Sequence, residues 1–267
     1  MARSPKKKTE STAQLNPKPR KRIVSTVNFA WLLPNLLTIS ALASGMSAIK
    51  FAMVDKFEGA VLLVALAGIF DMLDGRMARM LKSSSNFGAQ LDSLSDMVVF
   101  GVVPAMLLYL FALEEGGRIA WAACLFYTAC CALRLARFNS ELHDPPTWAA
   151  NFFTGVPSPA AAALAILPMI ASFRFDYDFL TDVSFVGAWI ALVGASAIST
   201  IPTFAGKGIK IPRSFALPAL GLFALIIAGF IARPWDMMLG MGVIYIAMIP
   251  VSIWRFSSVK AAAEKNS

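Results

Sequence analysis

Four aspartates, Asp71, Asp74, Asp92 and Asp96, fall within 26 residues of a stretch that is otherwise apolar. Val61 to Phe70 lead into them and Met97 to Leu113 lead away. One carboxylate in a bilayer costs at least a few kcal/mol, so intramembrane acids are functional by default and need positive partners. On helices, Asp71 and Asp74 (i, i+3) share a face, as do Asp92 and Asp96 (i, i+4). A single nearby Arg79 leaves the group over-supplied with negative charge. The expected partner is a divalent cation, one or two in number, and all-oxygen ligands favour Mg²⁺ or Mn²⁺ over softer metals. Gly75 and Ala78 are small enough to let a large ligand approach, and Arg79 suits a phosphate oxygen.

Two elements must bring the pairs together. The polar, turn-like stretch Lys82-Ser-Ser-Ser-Asn-Phe-Gly88 separates them, so two antiparallel helices joined there would face both acid pairs inward. The rest of the chain supplies more such helices. Of 267 residues, 57% are hydrophobic and 15% charged, and the mean hydropathy is +0.65. That composition excludes a soluble α/β enzyme and predicts an all-α, polytopic membrane helix bundle. Eight apolar segments are expected at 34–54, 57–79, 90–113, 118–137, 157–173, 183–203, 214–232 and 236–254, each near the ~20 residues a bilayer requires. Residues 1–22 read as a disordered basic cytoplasmic tail, either a topology signal or a contact to anionic lipid. Residues 23–33 read as a short interfacial helix before Pro34. A single transmembrane catalytic domain over 23–256 and a cytoplasmic tail over 257–267 complete the expected organisation.

Charge placement sets the orientation. With both termini inside and eight spans, 19 of the 24 Lys and Arg residues fall on the cytoplasmic side, as the positive-inside rule demands. The net charge of +8 is therefore topological, and no nucleic-acid partner is expected. The four aspartates then lie just inside the cytoplasmic face. Cys124, Cys130 and Cys131 share one apolar segment, which predicts packing residues and no disulfide framework. His143, in a polar loop, is assigned no role.

The spacing D-x2-D-G-x2-A-R-x8-G-x3-D-x3-D, carried by Asp71, Asp74, Gly75, Ala78, Arg79, Gly88, Asp92 and Asp96, resembles the signature of the CDP-alcohol phosphotransferase family. The resemblance implies transfer of a phosphatidyl group from a CDP-linked lipid to an alcohol, with release of CMP. It implies metal ligation by Asp71, Asp74, Asp92 and Asp96, with Asp96 as general base; geometry alone leaves open which carboxylate takes that proton. It also implies contacts to the CDP-diacylglycerol head from Asn35, Thr38, Gly75, Ala78, Arg79, Ser85 and Gly88. For Asn35 and Thr38 the alternative is ordinary helix capping, and for Ser85 simple loop solubility.

Two further segments, Cys131-Ala-Leu-Arg134-Leu-Ala-Arg137-Phe-Asn139 and Phe152-Phe-Thr-Gly155-Val-Pro157-Ser158-Pro159, resemble the membrane-embedded phosphatidylserine synthase branch. That implies L-serine as acceptor, bound by Arg137, Arg134, Asn139 and Ser158. An arginine can pair bidentately with the serine carboxylate; the alternative is that both arginines anchor a helix end. A glycerol 3-phosphate acceptor, as in phosphatidylglycerophosphate synthases, would use the same arginines. A divalent-metal transporter is the competing class, but no inverted repeat of the motif supports it. A bacterial inner-membrane location with a cytoplasmic active site follows from the branch, and a homodimer by analogy.

Overall fold

The computed structural model describes residues 29–140, 152–204, 212 and 215–265. The basic tail, residues 23–28, His143 and the loop cations Lys207 and Lys210 lie outside the described residues. The chain opens with two long helices, α1 (Phe29–Ala52) and α2 (Phe57–Met80). They pack along their whole length because only residues 53–56 join them, with Asp55 turned into the left-handed region at φ 58°. Ala41, Ala48 and Ala52 of α1 and Ala60 and Ala67 of α2 are all buried. Small side chains let the backbones approach closely, which holds helices together where lipid offers no apolar gradient.

The turn expected after residue 81 is present. Lys82 sits at φ 50°, and Ser83 N donates to Ala78 O at 3.0 Å, closing the α2 end in the manner usually given to glycine. Ser85 then caps α3 (Asn86–Asp96), its Oγ accepting from Gly88 N at 3.0 Å. One helix ends and the next begins within a few residues, and α3 packs back against α1.

Directly after Asp96 the helix widens into an i→i+5 turn, Met97–Val102. Such turns release carbonyls and recur at functional sites. The released groups are caught from α5 (Gly117–Ser140): Tyr127 Oη donates to Phe100 O at 2.7 Å and Thr128 Oγ1 to Gly101 O at 3.3 Å. Between them run α4 (Val103–Leu108), a second wide turn (Tyr109–Leu113) and a tight reversal at Gly116 and Gly117.

The second half is built on α5. Helix α8 (Val183–Ile198) lies against it so closely that a Cβ on Gly194 would stand 2.9 Å from the Tyr127 backbone. Between them in sequence come α6 (Ser158–Ala165) and α7 (Leu167–Ser172), which split the single span expected at 157–173. The break lies at Ile166, because Pro168 cannot donate into a continuing helix. Tyr127, Leu107, Leu108, Met169, Val186 and Ile190 form the buried centre. Helices α9 (Ala216–Ala232) and α10 (Pro234–Lys265) lie outside, α10 packing on α7 and on the segment 202–204 after α8, and α9 packing on α10. Leu217, Leu225 and Ile231 on α9 and Trp254 on α10 are exposed, a surface suited to hydrocarbon rather than water.

The structure adds detail to the expected organisation and corrects it at one point. The helical bundle is as expected, with one addition: β1 (Phe152–Thr154) pairs antiparallel with β2 (Pro202–Phe204), Phe153 opposite Thr203. The pairing continues as Gly155 N to Ile201 O at 2.9 Å, and Gly155 takes φ 77° with Ala197 O where a Cβ would stand. Residues 29–33 are not a separate interfacial helix, since α1 runs through Pro34 unbroken. The stretch 257–265 is helical and continues α10.

Among the described residues, Ala30–Ala52, the run Asn86–Ser140 and Pro234–Val259 are long and apolar enough to cross a membrane, and Ser158–Ser172, Val183–Ile198 and Leu217–Ala232 are shorter apolar helices. This is the build of a helical membrane protein.

Candidate active site

Helices α2 and α3 bring the acids together. Asp71, Asp74 and Asp92 each offer an oxygen within 4.8 Å of the others. Asp96 faces Asp71, carboxyl to carboxyl. Two carboxylates 4.8 Å apart repel by about 3 kcal/mol at an effective dielectric of 20, so three or four converging in an apolar bundle call for a cation or protons. No direct ion pair provides it: among the described residues the ion pairs are Arg174–Asp236 and Arg233–Asp236, both remote from this cluster in the chain. Oxygens around a hard cation at ~2.1 Å lie up to about 4.2 Å apart, close to the spread seen here. The residues therefore fit a divalent metal ion.

Helix α1 supplies the wall. Thr38 Oγ1 donates to Asp74 Oδ2 at 2.6 Å, and Ser95 Oγ of α3 donates to Thr38 O at 3.3 Å. Asn35 is buried, its Nδ2 given to Trp31 O at 2.9 Å. A Cβ on Gly88 would meet Asn35 Oδ1 and Ser85 Oγ, each at 3.2 Å. Gly88 thus lets α3 close on α1, which is a structural reason for glycine at that motif position. Arg79 folds back over Gly75, its Nη1 3.5 Å from where a Cβ would stand. Ala78, on the same helix end, takes Ser83 N on its carbonyl. Ser85 is more than a soluble loop residue. It caps α3 and also accepts from Trp31 Nε1 at 3.2 Å, which leaves its own O–H free to donate.

The other four residues form a second group. Arg134 is 8% exposed and its Nη1 donates to Ser158 Oγ, 1% exposed, at 2.7 Å. Arg134 lies near enough to Asp96 to feel its charge. Arg137 points elsewhere: its Nη2 donates to Ile198 O at 2.7 Å and Ser199 O at 3.3 Å, capping the end of α8. Asn139 Nδ2 donates to Ser93 Oγ at 3.1 Å, tying the end of α5 to the helix that carries Asp92. Arg134 and Ser158 are joined, and Asn139 is joined to α3, while Arg137 is engaged with backbone.

A family model described as CDP-alcohol phosphatidyltransferase matches residues 31–201, the stretch that contains all four aspartates and the Arg134 group. The chain belongs to the CDP-alcohol phosphatidyltransferase family. A second model, CDP-alcohol phosphatidyltransferase 2, matches residues 215–250. The chain is 34% identical over 224 residues to the CDP-diacylglycerol–serine O-phosphatidyltransferase of Mycobacterium tuberculosis, covering 83% of this chain and 78% of the relative. It is 34% identical over 246 residues to the protein of the same name from Helicobacter pylori, covering 90% and 98%. The Bacillus subtilis protein of that name is 36% identical over 144 residues, 54% of this chain and 77% of its own length. This chain is therefore an enzyme of the CDP-alcohol phosphatidyltransferase class.

Several residues of this CDP-alcohol phosphatidyltransferase site escape sequence reasoning. Trp31 braces Ser85 and lies 5.6 Å, centroid to centroid, from Phe87. Ser95 ties α3 to α1. Tyr245 of α10 and Thr203 of β2 lie beside Arg134 and Gly155. All are contacts across long separations; only Ser95, between two motif acids, had a local signal. An apolar cleft of about 410 Å³ opens beside the acids, lined among others by Gly68, Ile69, Phe100, Ala160, Met241 and Tyr245. Gly68 precedes Asp71 by one helical turn and Phe100 follows Asp96 by one.

Proposed function

We propose that this enzyme transfers the phosphatidyl group of CDP-diacylglycerol to the hydroxyl of L-serine, giving phosphatidylserine and CMP. The convergence of Asp71, Asp74 and Asp92 on one point carries the reading, with three relatives named for that reaction. The apolar cleft beside the acids suits acyl chains.

The residues divide the work as follows. Asp71, Asp74 and Asp92, bordered by Asp96, would hold Mg²⁺ or Mn²⁺, two ions in the full reading. Bound there, such ions neutralise a diphosphate and stabilise the leaving oxygen. Asn35, Thr38, Gly75, Ala78, Arg79, Ser85 and Gly88 line the nucleotide side. Arg79 and the free Ser85 hydroxyl donate to phosphate oxygens. The serine hydroxyl attacks the lipid-side phosphorus, its proton passes to Asp96, and the bond to the CMP phosphate breaks. Arg134, Arg137, Asn139 and Ser158 receive the acceptor.

The chain would lie in a bacterial inner membrane with about eight spans, both termini and the acids on the cytoplasmic side. The basic tail at 1–22 would meet lipid headgroups, and a homodimer is the expected assembly. The test is CMP release from CDP-diacylglycerol with Mn²⁺ or Mg²⁺ and, in turn, serine, glycerol 3-phosphate or inositol phosphate. Serine should win. Preference for another acceptor would keep the reaction class and remove the serine assignment, while metal uptake into vesicles without nucleotide turnover would favour a transporter.

A further inference from the structure

Two buried polar atoms near the acids have no hydrogen-bond partner: Arg134 Nε and Tyr245 Oη. They belong to helices far apart in the chain, α5 and α10, yet each feels the other electrostatically. Arg134 spends Nη1 on Ser158 Oγ at 2.7 Å. Its Nε–H is left in a region where an unmet donor on a charged group is costly. Tyr245 Oη lies beside Thr203, whose own hydroxyl proton goes to Gly155 O at 2.8 Å. Thr203 Oγ1 can therefore act toward Tyr245 only as an acceptor, and Tyr245 Oη makes no hydrogen bond of ordinary distance and angle. Tyr245 itself lines the apolar cleft, and its hydroxyl interacts electrostatically with Arg134.

Arg134 is also close enough to Asp96 for the two charges to interact. A small molecule that placed a hydroxyl at Asp96 and an anionic group at Arg134 would satisfy both orphaned donors at once. An amino acid bearing a β-hydroxyl has that shape. We propose that Tyr245 Oη and Arg134 Nε together form the carboxylate subsite for the acceptor, with Tyr245 as a specificity-determining residue. This deepens the serine reading and rests on it. The carboxylate takes one donor from each helix, so α10 becomes part of the acceptor pocket and not only a lipid-facing wall.

The test is Tyr245→Phe, which keeps the ring in the cleft and removes one oxygen. The wild-type enzyme is assayed first, with CDP-diacylglycerol in mixed micelles and Mn²⁺. The variant should raise the KM for L-serine about tenfold or more, the worth of one hydrogen bond to a charged group. The KM for CDP-diacylglycerol and kcat should stay within about twofold of wild type, a change worth under 0.5 kcal/mol. L-serine methyl ester, which lacks the carboxylate charge, should be used equally well by both enzymes. If wild type turns over serine and the variant's serine KM is unchanged, the subsite is refuted and the serine reading stands. A rise in the CDP-diacylglycerol KM alone, or in both KM values equally, also overturns it, by assigning Tyr245 to the lipid or to packing. If wild type releases no CMP with serine, the serine reading itself fails, and the subsite with it.

Discussion

Thr38 Oγ1 donates to Asp74 Oδ2 at 2.6 Å, and both side chains are 4% exposed. The bond ties one acid of the cluster to a neighbouring helix. Thr38→Val keeps the shape and removes the donor. Asp74 then rotates more freely, and activation by Mn²⁺ should need about tenfold more metal, in keeping with the loss of an outer-shell partner. A Mn²⁺ titration of CMP release measures this; an unchanged midpoint would mean that Asp74 needs no orienting partner.

Asp96 faces Asp71 but is not itself one of the tight trio of Asp71, Asp74 and Asp92. Asp96→Asn should therefore retain CDP-diacylglycerol binding while kcat falls by about 10²–10⁴, the usual contribution of a general base. Equilibrium binding of the labelled lipid, set beside turnover, separates the two effects. Near-normal turnover would remove Asp96 from the proton transfer.

Chelation should abolish CMP release, and Mg²⁺ or Mn²⁺ should restore it. The physical ground is the mutual repulsion of the acids, which no arginine or lysine ion pair offsets among the described residues. Activity that survives exhaustive chelation would contradict the metal role of the cluster.

Gly88→Ala places a methyl 3.2 Å from both Asn35 Oδ1 and Ser85 Oγ. The start of α3 must shift by a few tenths of an ångström, moving the Ser85 hydroxyl away from the phosphates. The KM for CDP-diacylglycerol should rise severalfold while the KM for serine holds. Equal changes in both would point to general loosening of α3.

Arg137 caps α8 through Ile198 O and Ser199 O, and its remaining nitrogens are free for an acceptor. Arg137→Ala should lower the unfolding midpoint in detergent by about 2–4 °C for each kcal/mol lost. It should also raise the serine KM more than the lipid KM. A stability loss with no serine effect would leave Arg137 as a helix cap alone.

The acid cluster was legible because helical spacing is local: i, i+3 and i, i+4 place Asp71 with Asp74 and Asp92 with Asp96 before any tertiary contact is known. The α1–α2–α3 order followed from apolar length and one polar turn. Three features were hidden for physical reasons. Lys82 occupies a left-handed position where glycine is the usual signal. The wide turn after Asp96 depends on hydroxyls donated from α5, 27 residues away in sequence. The β1–β2 pairing joins three-residue strands 48 or more residues apart, far too short to leave a periodic pattern. Arg137 was read as an acceptor ligand or an anchor for its own helix; it caps a different one.

The oxygen cage and its Thr38 brace come entirely from residues 38–96, whereas Arg134, Ser158 and Tyr245 come from further along the chain. On the proposed reading, bond cleavage and the choice of alcohol are housed in separate parts of one polypeptide. A lineage of such enzymes can swap its second co-substrate by revising the later half, leaving the inherited cutting machinery alone.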